Sequence, residues 1–190
     1  MKKDIKSVFE HQISEWLTSQ RLRALLTRTK KKTLAETSFD HLIRWYPQVS
    51  SDGRDSYGLD IVGRLENSMI SLNAKNLLTQ ICGEFKGSKK ELKHILKKSV
   101  HFEHNAPVDV IKNKLIQLQQ VDFNNIQTIL NVGYYIVIIT KEEENLLRKK
   151  GYAKKGECQE RLNAIGAILI NEETKSELIQ TIKNRLDQLP

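Results

Sequence analysis

GLDIVGRLENSMISLNAK, residues 58–75, is the stretch on which the architecture turns. Leu59, Ile61, Gly63 and Leu65 alternate with Asp60, Val62 and Arg64. Met69, Ser71 and Asn73 then alternate with Ile70, Leu72 and Ala74. A period of two is strand spacing, because successive side chains of a strand point to opposite faces. Glu66, Asn67 and Ser68 supply the polar turn between the two runs. The spacing predicts two short paired strands, followed by a helix over 74–85.

Upstream, VSSDGRDSYG (residues 49–58) is a turn-rich loop carrying Arg54. Before it, Leu34, Phe39, Leu42 and Ile43 predict a helix over 35–45 that stops near Pro47. Phe9, Ile13, Trp16 and Leu17 mark an earlier helical face, which Leu22, Leu25 and Leu26 extend. TRTKKKT then forms a basic connector. Downstream, GSKKELKHILKK is a lysine-loaded amphipathic helix with Leu92, Ile95 and Leu96 inward, opened by a Ser88–Glu91 capping box. Residues 108–118 read as another helix. YYIVIIT (residues 134–140) is the clearest strand, continuous and β-branched as a fully buried strand would be. Thr140 and Glu143 form a second capping box, and Gly151 closes the helix it opens. Residues 158–170 start as a helix and pass into the short strand AILI, and residues 172–188 form a closing helix. The result is a mixed α/β chain, one compact domain over residues 1–190.

The chain carries 31 Lys+Arg against 23 Asp+Glu, a net charge of +8. Residues 1–100 hold 19 and 11 of these, and residues 101–190 hold 12 and 12. The whole excess lies in the first half, as expected of a phosphate-backbone footprint. Lys30, Lys31, Lys32, Arg54, Lys89 and Lys90 are the candidate phosphate contacts. There is no apolar run long enough to span a bilayer, and no G-x-G-x-x-G or Walker A segment. Two cysteines are too few for a disulfide framework, and the opening MKKDIKSVFEHQISEW has no signal-peptide core. A cytoplasmic location is expected.

On a hairpin over 59–74, Asp60 and Asn73 would turn their oxygens toward one divalent cation. Lys75, two residues on, would share their face and steady a hydroxide nucleophile or the developing phosphorane charge. Glu36, on the preceding helix, would complete the set. At these residues the sequence resembles the PD-(D/E)xK nuclease superfamily over residues 34–85. Asp60 takes the place of the metal-binding aspartate, Asn73-Ala74-Lys75 that of the (D/E)xK segment, and Glu36 that of the helix glutamate. Leu59 stands where proline is usual, and Asn73 where a carboxylate is expected. The resemblance implies a restriction-endonuclease-like core with additional helices, Mg²⁺, hydrolysis of double-stranded DNA, and a homodimer.

His94, His101 and His104 crowd a second region. On a strand there, His101 and Glu103 share one face and His104 takes the other. Glu103-His104-Asn105-Ala106-Pro107 resembles the first motif of the HNH nucleases, which implies His104 as general base and Glu103 as metal ligand. A third reading needs no chemistry: a basic, non-catalytic DNA-binding or protein-interaction module.

Overall fold

The computed structural model describes residues 5–19, 34–48, 60–132, 134–153 and 155–190. Lys30, Lys31, Lys32, Arg54, the TRTKKKT connector and the 49–58 loop lie outside the described residues.

The described chain is mostly helical, with a small mixed sheet. In order run α1 (Ile5–Thr18), α2 (Leu34–Trp45) with a short 3₁₀ turn (Tyr46–Gln48), α3 (Ile61–Glu66), β1 (Met69–Ile70), α4 (Leu72–Glu84) and α5 (Lys89–Ser99). Then come β2 (Val100–His104), α6 (Val108–Ile116), α7 (Phe123–Gln127) running into a π turn (Thr128–Val132), and β3 (Ile136–Thr140). Finally come α8 (Lys141–Lys149), α9 (Cys158–Ile165) and α10 (Glu172–Asp187).

The predicted hairpin is not there. Asp60 caps α3 instead, its carboxylate accepting the Gly63 amide at 3.2 Å. Ile61 and Leu65 are both buried, four residues apart and one helical turn on. Ser71 caps α4 by accepting the Ala74 amide at 3.1 Å, and Ala74, Leu78 and Cys82 then repeat every fourth residue on the buried face. The alternation at 59–65 and 69–74 is too short to separate periods of 2 and 3.6, and Ser71 decides it as an N-cap. Only Met69 and Ile70 pair as strand.

The sheet order is β1-β3-β2, with β1 parallel and β2 antiparallel to β3. Gly166, at φ 66°, ends α9 in the left-handed region where glycine costs least. The chain then returns along β1: Ile170 donates to the Ile70 carbonyl and Leu72 to that of Ile168. β3 is buried along its length, as its composition predicts. Its pleat divides two cores: Ile138 packs with α3, α4, α5 and α10, whereas Val137 and Ile139 pack with Leu147, Leu162 and Ile165. A third core joins α1, α2, α6 and α7 around Phe39 and Ile43, with Trp16 stacked on Phe39 at 5.7 Å. No helix among the described residues is long and apolar enough to cross a membrane.

Candidate nucleic-acid interface

Both reciprocal bonds of the Ser88–Glu91 capping box at the start of α5 form. The hydrogen bonds from Ser88 hold the exposed Glu91 carboxyl below its usual range. Leu92 and Leu96 are fully buried, which turns Lys90, His94, Lys97 and Lys98 to solvent. Ile95, expected inward, is 39% exposed. Lys89 is drawn toward α10, its ammonium 3.3 Å from Asp187.

A groove of about 910 Å³ opens beside this face. Ile61, Phe85 and Ile95 supply its apolar walls, and Lys86, Lys90, Lys93 and Lys97 its cations. Phe85 ends α4, and its carbonyl accepts Arg185 at 2.7 Å. Gly87 lets the ring lie across the following turn, since a Cβ there would stand 2.7 Å from the Phe85 Cζ. Asp60 reaches the same groove and pairs with Lys93 at 2.8 Å. That lysine holds the Asp60 carboxyl below the usual range against partial burial, and the Gly63 amide adds to the effect. With both side chains more than a third exposed, the pair is worth about 0.2–1 kcal/mol.

The remaining members of the predicted metal site are arranged differently from the hairpin expectation. Asn73 lies in the first turn of α4, where its amide donates to Glu143 Oε1 at 3.0 Å. Lys75 follows on the same helix, half-buried, its backbone amide bonded to the Ser71 carbonyl. Glu36 lies on α2. Asp60, Asn73 and Lys75 therefore do not line one strand face. Among the described residues, no group of three His, Cys, Asp or Glu side chains is placed to hold a metal ion.

The role of Asn73 follows from Glu143, a buried carboxylate that also accepts Ser71 Oγ at 2.8 Å and the Thr140 amide at 2.7 Å. The residue facing it must be a donor. Asn73→Asp, which would complete the motif by sequence, sets carboxylate against carboxylate. We expect it to destabilise the fold by about 1–2 kcal/mol at neutral pH. Urea unfolding at pH 7 measures this, and a midpoint equal to wild type would contradict the assignment.

β2 bears out the predicted alternation: His101 and Glu103 meet at 2.9 Å on one face, and His104 takes the other. Burial opposes ionisation of Glu103, but His101 and Arg161 together outweigh it and hold its carboxyl below the usual range. His104 donates from Nε2 to the Arg44 carbonyl at 2.9 Å and stacks on Tyr134. Burial lowers its pKa, the Arg44 carbonyl acting against this, so the ring is neutral at neutral pH. Asn105 clasps Tyr135, donating its backbone amide to one backbone group and accepting the other through its side chain. The motif's polar groups thus fasten β2 to β3 and α9.

The sequence reading omitted Phe85 from the basic face and Arg161 from the acidic cluster. Arg161 carries no local signal, since its partners lie 57 and 58 residues away. No family model matches the chain, and no curated protein or solved structure matches it.

Proposed function

We propose that the chain is a non-catalytic module that binds nucleic acid through the lysine face of α5, which takes the phosphates of double-stranded DNA as it takes those of a single strand. The observation that carries this reading is a run of exposed ammonium groups, Lys86, Lys90, Lys97 and Lys98, that have no acidic partner among the described residues. Lysines on flexible stems neutralise phosphates and position a duplex without reading its sequence. The +8 excess in residues 1–100 adds steering of the same sign. A restriction-endonuclease-like core with Mg²⁺ would need Asp60 and Asn73 turned to one cation, yet Asp60 is committed to Lys93 and its helix cap, and Asn73 to Glu143.

Anisotropy of a labelled duplex, followed between about 50 and 200 mM salt, tests the proposal. Lys90→Glu with Lys97→Glu weakens binding and lowers the slope of log K against log salt by about 2. Asp60→Asn keeps a good cap, releases Lys93 and tightens binding by about two- to fivefold. Absence of salt-dependent binding by the wild type would overturn the proposal. Mg²⁺-dependent cleavage lost in Asp60→Asn and Lys75→Ala would replace it with restriction-type hydrolysis, by a dimer as the resemblance implies. Cleavage lost only in His104→Ala would favour the HNH-like alternative.

A further inference from the structure

We infer that the groove between α3, the end of α4 and α5 holds an unpaired nucleobase, so that the protein prefers single-stranded or locally unpaired nucleic acid to a continuous duplex. The inference rests on the phosphate-binding reading of α5 given above and adds the substrate class.

A ridge of lysines on a convex helix is enough to bind phosphates. A hollow of about 910 Å³ walled by Ile61, Phe85 and Ile95 contributes nothing to that task. Its size falls in the range of about 300–1,000 Å³ typical of pockets that enclose small organic groups. The ligand it suits is a flat apolar group that carries anions at its edge. A nucleobase flanked by its own phosphates is such a ligand, and it belongs to the same polymer that the ridge attracts.

The positions agree. Lys90 and Lys97 both border the groove, seven residues and so about 10 Å apart along the helix axis. Lys86 adds a third cation from the turn after α4. Long lysine stems let these ammonium groups reach phosphates on either side of one inserted nucleoside. Phe85 lines the groove as its aromatic residue, with its ring close to Gly87 and its backbone held by Arg185. The carboxylates at the rim are already engaged, Asp60 with Lys93 and Glu91 with Ser88. Lys86, Lys90, Lys93 and Lys97 outnumber Asp60 and Glu91, so the groove faces its ligand with a net positive charge. In a paired duplex the bases are stacked inside, and the apolar walls find no partner.

Competition binding separates the base pocket from the phosphate ridge. We expect a pyrimidine oligonucleotide to bind about tenfold tighter than a duplex offering the same number of phosphates, because one stacked base contributes on that scale. Phe85→Leu keeps the apolar volume that packs on the core and removes the aromatic face. Ile95→Gln alters an exposed wall. Both bring the ratio toward 1 by weakening binding of the oligonucleotide more than binding of the duplex. A 4-thiothymine placed in the oligonucleotide crosslinks to the segment around Phe85, as read by mass spectrometry. Equal affinity for strand and duplex would overturn the base pocket and leave the phosphate ridge intact. So would inorganic polyphosphate competing as well as the oligonucleotide at equal charge, or preferential occupation by an acidic amphipathic peptide. Failure to bind either nucleic acid would remove the ridge and the pocket together.

Discussion

Arg161→Ala is expected to destabilise the protein by about 3–5 kcal/mol, the range for stripping one partner from a buried ion pair. In a chain of 190 residues this lowers the thermal midpoint by about 6–20 °C. Arg161 is 3% exposed and donates from one guanidinium nitrogen to Glu103 and from another to the His104 carbonyl. Without it, Glu103 keeps His101 as its partner among the described residues, and the His104 carbonyl loses the guanidinium. Arg161→Lys supplies a single point charge in place of the planar fork and should fall between the two.

The pH dependence has a definite sign. The folded-state pKa of Glu103 is depressed from its ordinary 4.5, with burial opposing and His101 and Arg161 prevailing. Its stabilising contribution is therefore complete above that value and disappears as pH falls through the depressed one. In Arg161→Ala the carboxyl takes up its proton at higher pH. Its stability deficit is greatest near neutrality and narrows as pH falls through the depressed value, below which the carboxyl is neutral in both proteins. Thermal midpoints measured across that interval test this, and a deficit independent of pH would contradict the role given to Glu103.

Glu143→Ala is expected to cost about 3 kcal/mol, because it leaves three donors without their acceptor in or beside the core. That corresponds to a fall of about 6–12 °C in the thermal midpoint. The three donors are the hydroxyl of Ser71, the amide side chain of Asn73 and the backbone amide of Thr140. One carboxylate thus closes the capping box of α8 and anchors the first turn of α4 against it. Glu143→Gln preserves the volume and an acceptor oxygen but turns a donor toward other donors, and we expect an intermediate loss. A midpoint within about 2 °C of wild type for the alanine variant, less than 1 kcal/mol would produce, would exclude the linking role.

Where local chemistry sufficed, the reading by spacing matched the molecule. Ser88 with Glu91 and Thr140 with Glu143 are three residues apart, so each cap is complete within one helical turn. The apolar run 136–140 is buried on both faces because every residue in it is apolar or β-branched. The lysine face of α5 follows from the burial of Leu92 and Leu96. Residues 59–74 were not legible in this way. Over so few positions, alternation of apolar and polar residues fits a strand and a helix turn equally well.

The candidate sites divide along the same line. The net charge, its concentration in residues 1–100, both capping boxes and the alternation of His101, Glu103 and His104 were all legible from local sequence. Tertiary structure alone decided that Asp60 would face Lys93, 33 residues away, and that Asn73 would face Glu143, 70 residues away. It also joined Phe85 to the lysines of α5 as one groove. The physical reason is the range of the interactions. Caps and amphipathic faces are set by neighbours within one or two turns, whereas the partner of a carboxylate depends on which elements the burial of apolar surface brings together.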